Sequence, residues 1–374
     1  MAPLKTKPLA MIAIAFGGIF LSAALRLLIP DLNFFYPVLV DQSEPDADVL
    51  ILGGGHAGLS GALTLVRHQH DILIFDNGSP RNRWDTPMHV LPTWEHRSPK
   101  AFRERSRREL QSTGLVKFVD EKIVKTERKN ESLFHVTSSS GKKWSGRKLM
   151  VAVGSEFVYP DIPGYGENFP EKILHCLFTR GFEFRGSAAA GIIAADLASS
   201  PPHAVILGED ANKFAESVTI YTNGDRSLAE DIRSVLAQKR DSMMQIDPRQ
   251  ITRIAKDPAT NGITLQFDDG NNRTESFIVH QPTTKVNGEI VHQLGLEIND
   301  RGDIHTRMPF YQTNVSGVFA AGDAASPFKM VPNAVFQGSN AGAGISRELP
   351  RRVTGNKVNR LQQGVAARWI GNLL

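Results

Sequence analysis

An α/β fold in two domains, with an apolar helix ahead of them, is predicted from three observations. A strand, a glycine-rich turn and a helix follow one another around Gly53; a second strand closes on Gly322-Asp323; and an uncharged run precedes both. With 374 residues, 41% of them hydrophobic, the chain is long enough to bury two cores. No internal repeat or low-complexity tract is present, which excludes repeat architectures.

The first element is the apolar run Ala47 to Leu52, broken at Asp48. It leads into Gly53-Gly54-Gly55-His56-Ala57-Gly58 and a helix-like stretch from Leu59 to Arg67. In a Rossmann-like βαβ unit Gly53 allows the tight turn, Gly55 lets a pyrophosphate approach the backbone, and Gly58 lets the helix pack on the sheet. A second strand, Ile72 to Phe75, ends at Asp76. That places an acid about twenty residues beyond the glycines, where it binds the hydroxyls of an unphosphorylated ribose. The glycines alone also fit an ordinary turn; strand, glycines, helix, strand and acid in order point to a dinucleotide.

The second segment is a buried strand from Gly317 to Ala321 ending at Gly322-Asp323, followed by a helix containing Ala334 to Gly342. An aspartate there can bond the ribityl hydroxyls of FAD, and the helix N-terminus favours an anionic reduced flavin. A third mark lies between them: a strand Leu149 to Val153, Gly154, then Pro160-Asp161-Ile162-Pro163-Gly164, the way a chain leaves a flavin domain.

Together with Arg81-Asn82, the run His89-Val90-Leu91-Pro92-Thr93-Trp94-Glu95-His96-Arg97, His175-Cys176-Leu177-Phe178 and Val279-His280-Gln281-Pro282, these residues resemble the low-molecular-weight thioredoxin reductases. Within that family the likeness is to the fungal dithiol oxidases related to the gliotoxin enzyme, and it runs from about Ala47 to Leu349. The resemblance implies a two-domain FAD/NAD(P)-binding fold of thioredoxin reductase type, FAD as cofactor and a homodimer. It carries cofactor contacts onto His56, Ala57, Arg81, Asn82, Ile123, Ala152, Gly154, Asn333 and Ala334, beside Gly53, Gly55, Gly58, Asp76, Gly322 and Asp323.

The chain departs from that family at its chemistry. The relatives carry C-x-x-C, one sulfur attacking substrate and the other facing the flavin. Here the stretch is Cys176-Leu177-Phe178-Thr179-Arg180, and Cys176 is the sole cysteine. Resolving a mixed disulfide takes a second thiolate, so one subunit cannot complete a relay. Cys176 is then either a nucleophile working with a substrate thiol or a small buried hydrophobe. Arg180 either holds an anionic group near the flavin or lies on a solvated surface, while His89 and His175 either position substrate or make structural hydrogen bonds. The second nucleotide site also looks lost. The matching region, Gly186 to Asp196, lacks the glycine fingerprint, and no arginine pair follows the strand Val218 to Tyr221.

The expected layout is an N-terminal segment 1–45, FAD domain 46–157 and 286–349, an inserted NAD(P)-like domain 158–285, and a tail 350–374. Glu183 to Gly186 is expected to open the middle domain, and Asp268 to Asn272 to turn a hairpin between Ile263 to Phe267 and Thr274 to Val279. Lys5 and Lys7 precede an uncharged run Pro8 to Leu25, whose eighteen residues rise about 27 Å as a helix, the lower limit for a bilayer. A single-pass anchor, a cleaved signal peptide and a packed apolar helix all fit, and the side of the membrane stays open. Arg97, Lys100, Arg103, Arg105, Arg107 and Arg108 are interrupted by Glu104 and Glu109 and read as a solvated helix face, not a nucleic-acid site. No metal-ligand pattern is read. The function expected is FAD-dependent oxidation of a small organic molecule in fungal specialised metabolism, with dioxygen as acceptor. The alternatives are a dithiol oxidase using Cys176 and a noncatalytic flavoprotein.

Overall fold

A computed structural model describes residues 44–84, 87–239 and 244–350. The apolar run Pro8 to Ile29 and the tail from Arg351 lie outside them, and among the described residues no helix is long and apolar enough to cross a membrane.

The chain from Pro45 onward starts with β1 (Ala47–Leu52), α1 (His56–Arg67) and β2 (Ile72–Phe75). Helix α1 begins at His56, three residues before the apolar period suggested, because Gly55 serves as its cap. Then come α2 (Pro99–Ser112), β3 (Val116–Val119), and a meander of β4 (Ile123–Asn130), β5 (Leu133–Ser138) and β6 (Lys143–Val151). Strand β7 (Ser155–Val158) leads out of this domain.

The middle domain contains α3 (Tyr165–Asn168), β8 (Ile173–Leu174), α4 (Leu177–Arg180), β9 (Ser187–Ile193), α5 (Pro201–Ala211), β10 (Ala215–Tyr221) and α6 (Arg226–Leu236). It continues through β11 (Gln245–Asp247), β12 (Ile251–Asp257), β13 (Gly262–Phe267), β14 (Asn272–Glu275) and β15 (Phe277–Val279). The return strand β16 (Thr283–Val286) pairs antiparallel with β7, so the two crossings form one ribbon. The first domain is completed by α7 (Ile290–Leu294), β17 (Val318–Ala320) and α8 (Val331–Glu348).

The first domain's sheet runs β3-β2-β1-β6, all parallel. Strand β6 is long enough to serve two partners on its far side: its start pairs antiparallel with β5, and Leu149 to Val151 pairs parallel with β17. Alternate residues of β1 therefore enter different cores. Val49 and Ile51 pack under α1 and α8, while Leu50 and Leu52 pack with Phe134 and Val136 of the meander. Burial on both faces is what a parallel strand requires, and each such side chain contributes about 1.5–3 kcal/mol.

The middle sheet is parallel in the order β11-β10-β9-β15-β8, with β12-β13-β14 as a separate antiparallel sheet. Two expectations are corrected here. The middle domain does not open at Glu183, since β8 already pairs with β15 and Tyr165 already packs into its core. The strand expected from Thr274 to Val279 is split at Ser276. Glu275 is drawn inward by the Tyr221 hydroxyl and by Arg273 Nε at 3.1 Å, and Ser276 N donates to Ala189 O at 2.9 Å, which moves the chain from one sheet to the other.

Helices α1 and α8 cross at backbone contact. A Cβ on Gly338 would lie 2.1 Å from Ala57 O, and one on Gly342 would lie 2.6 Å from Gly61 O. Gly338→Val is expected to destabilise the protein by about 1–3 kcal/mol or more through overpacking against rigid backbone. The fall in urea midpoint relative to an exposed control such as Gly166→Val, where a Cβ makes only ordinary contact, measures it.

Candidate functional site

A cavity of about 720 Å³ lies where β1, α1, α2 and α8 converge. Gly53, Gly55, His56, Ala57, Asp76, Arg81, Asn82, Ala152, Gly154, Gly322, Asp323 and Ala334 line it, so most of the expected cofactor positions meet at one place. The glycines divide the work as anticipated. Gly53 has φ +112° and a Cβ there would sit 2.1 Å from Ala152 O; at Gly58 it would sit 2.0 Å from Gly53 O. At Gly55 it would meet nothing within 4 Å and would project into open space. Helix α1 has no side-chain cap, so its first amides remain available to a ligand.

Three of the expected cofactor positions are not on the wall: Gly58 lies behind it, where a Cβ would meet Gly53 O, and Ile123 and Asn333 stand apart from it. Ile123 opens β4 and packs against the core beneath the meander. Asn333 works from behind, its Nδ2 donating to Ser326 Oγ at 2.9 Å and to Phe328 O at 2.7 Å, which shapes the loop before Ala334. The basic cluster also needs correction. Lys100, Arg103 and Arg107 recur on one face of α2 and line the cavity, with Arg103 Nη1 donating to Asn82 Oδ1 at 2.9 Å. Their i, i+3, i+7 spacing is the signal that separates them from the solvated Arg105 and Arg108. Asn287, from the return crossing, was not anticipated either; its Nδ2 donates to Val153 O at 2.8 Å and holds the two crossings together at the cavity.

A smaller cavity of about 100 Å³ adjoins the first, sharing Arg81, Asn82, Trp84, Pro99, Met330 and Val331 with it. His89, His175, Thr179 and Arg180 stand on its wall. Cys176 does not. It precedes α4 in extended backbone, partly exposed, and its carbonyl accepts from the Thr179 hydroxyl at 2.9 Å. Two of the cavity's cations are already matched: Arg81 Nε meets Asp323 Oδ2 at 2.6 Å, and Lys329 Nζ meets Asp303 Oδ1 at 2.6 Å. No carboxylate of the described residues lies within ion-pair distance of Arg180. His175 sits between the rings of Phe157 and Phe169, and burial, with Arg81 nearby, lowers its pKa to about 3. It is a neutral imidazole at physiological pH.

In the middle domain the segment Gly186 to Asp196 is not a phosphate turn. It is mainly β9, and the turn itself is Ala194 to Ser200, which contains no glycine. Three features there oppose an anion. Asp196, at φ +52°, places a carboxylate in the turn, 3.5 Å from the buried His280 without a hydrogen bond to it; the other ring nitrogen of His280 bonds Tyr165 at 2.7 Å. Helix α5 then starts Pro201-Pro202, so its first two positions have no N–H to offer. Finally, β10 is followed by Thr222-Asn223-Gly224-Asp225, where Asn223 Oδ1 accepts from Ile251 N at 2.9 Å and Asp225 caps α6; no arginine pair follows.

A family model described as pyridine nucleotide-disulphide oxidoreductase matches residues 47–338. The chain is 40% identical over 308 residues to the thioredoxin reductase sirT of Leptosphaeria maculans, covering 80% of this chain and 93% of that one. To the thioredoxin reductase aclD of Aspergillus oryzae it is 36% identical over 313 residues, covering 82% and 98%. Among solved structures, an oxidoreductase from Agrobacterium tumefaciens is similar with a TM-score of 0.72 at 27% identity, covering 80% of this chain and 97% of that one.

FAD is the cofactor, and the larger cavity fits it. The space beside Gly55 is open where a pyrophosphate needs it, and the N-terminal residues Val331 and Ala334 of α8 reach the same cavity. His56 Nε2 is buried on the wall with no hydrogen-bond partner among the described residues, and burial lowers its pKa to about 4, so a neutral ring faces the ligand space. Gly55→Val should fold normally but purify colourless, because the added atoms displace only ligand; Gly58→Val should lose stability as well as flavin. Far-ultraviolet circular dichroism and the absorbance ratio at the flavin band separate the two outcomes. Yellow Gly55→Val protein would show that the cofactor lies elsewhere.

Proposed function

Because the chain belongs to the pyridine nucleotide-disulphide oxidoreductase family yet bears threonine where its relay needs a second sulfur, we propose direct oxidation of a small organic molecule in fungal secondary metabolism, with dioxygen as acceptor. The observation carrying this reading is the wall of the small cavity: Thr179 and Arg180 stand on it and Cys176 does not. A threonine hydroxyl forms neither a thiolate nor a disulfide, and here it is committed to the Cys176 carbonyl. Bound FAD supplies a two-electron acceptor that dioxygen can regenerate.

The protein's own residues bind, orient and exclude water. Met88, Trp84, Val331 and the prolines of the small cavity give an apolar seat, and Arg180 gives a cation for an acidic or electron-rich group of the substrate. His175, neutral and held between aromatic rings, offers a hydrogen bond that orients substrate beside the FAD cavity; with its pKa lowered to about 3 it is a poor proton acceptor. Asp196 and the Pro201-Pro202 start of α5 support the further reading that NADPH is not the electron source. In the same reading the N-terminal apolar run tethers the enzyme to a membrane, and a chain starting at Pro45 should be recovered soluble and still yellow.

Anaerobic mixing with NADPH should leave the flavin oxidised, and Cys176→Ser should retain most of the turnover of wild-type protein. Rapid bleaching by micromolar NADPH would overturn the first expectation. Loss of turnover in Cys176→Ser with flavin intact would favour a half-relay in which Cys176 pairs with a substrate thiol.

A further inference from the structure

The sequence shows no metal-ligand spacing, yet the fold brings three ligand groups together across the two domains. Residues 88–97 fold back on themselves, Met88 N donating to Arg97 O at 2.8 Å and His96 N to Met88 O at 2.9 Å. This sets the rings of His89 and His96 edge to face, 4.7 Å apart. Glu183 reaches the same point from the short 3₁₀ turn Phe182–Phe184 that follows α4 in the middle domain. One ligand atom from each of His89, His96 and Glu183 lies within 4.8 Å of the others.

The second observation concerns His89, whose side chain is only 9% exposed. Its Nδ1 lies 2.6 Å from Glu95 Oε1, and Glu95 is itself held by Val90 N at 2.9 Å. A carboxylate on one ring nitrogen fixes the proton there and turns the lone pair of the other nitrogen outward, as outer carboxylates do for metal-binding histidines. That other nitrogen, Nε2, faces Glu183 Oε1 at 3.6 Å, and among the described residues no hydrogen bond occupies it. At that distance the two atoms are too far apart for a direct hydrogen bond and close enough to share an ion.

We propose that His89 Nε2, His96 and Glu183 form a divalent-cation site of zinc type, with Glu95 as the outer carboxylate and water completing the set. Two imidazoles and a carboxylate suit that ion, whose bonds of about 2.0–2.2 Å are reached by rotating the exposed His96 and Glu183 side chains inward. The ion cross-links the loop of the FAD domain to the turn after α4 beside the small cavity, whose wall includes His89, Thr179 and Arg180. Its role is structural, and it rests on no assumption about the substrate.

The test uses full-length FAD-loaded protein, stripped with chelator and dialysed against micromolar zinc. Plasma mass spectrometry should find one zinc per chain, with His96→Ala and Glu183→Gln each losing it while keeping their flavin. Glu95→Gln should weaken binding about tenfold to a hundredfold. Zinc should also raise the melting temperature of the wild type, a readout that does not depend on any variant folding. No retained zinc, no shift in melting, or equal zinc in the His96→Ala/Glu183→Gln double variant overturns the site. In that case the three side chains are neighbours that hold no ion.

Discussion

Everything at the cofactor cavity depends on two helices being allowed to touch backbone to backbone. Because Gly61, Gly338 and Gly342 present no side chain at the crossing, α1 and α8 approach closely enough for both N-termini to reach one cavity. Each terminus adds unsatisfied amides and a partial positive charge. The crossing also ties the last described helix to the first: α8 follows β17, which pairs with β6, the neighbour of β1. The cavity is thus built from segments almost three hundred residues apart, held in register by a parallel sheet buried on both faces.

The parts of this site that were legible in the sequence are those whose meaning is local. Gly53 to Asp76 encodes a turn, a helix start and an acid in one contiguous unit, and Gly322-Asp323 closes a strand in the same way. What was not legible depends on what packs against an element. Lys100, Arg103 and Arg107 look like any solvated basic face until the cavity is known to lie beside them. Ile123 and Asn333 sit close in sequence to true wall residues, yet one points into the core and the other braces a loop from behind.

The middle domain illustrates a different limit. Its glycines at 186 and 191 drew attention, but Gly191 lies inside β9 and Gly186 just before it, and the turn that matters has none. A missing motif cannot be located without the register of the strand it should follow. Ser276 gives no turn signal between β14 and β15; the break arises from Tyr221, 54 residues away in sequence, and the neighbouring Arg273 both claiming Glu275.

Thr179 has a consequence beyond its own cavity. Relay flavoproteins exchange with the thiol pools around them, so their working state follows the glutathione and thioredoxin poise of the compartment. A hydroxyl bonded to a neighbouring carbonyl neither ionises near neutral pH nor takes part in such exchange. The wall beside the FAD cavity is therefore chemically silent toward those pools. Compounds that inactivate relay enzymes by modifying a thiol find no cysteine on that wall, whose sulfurs are the thioethers of Met88 and Met330.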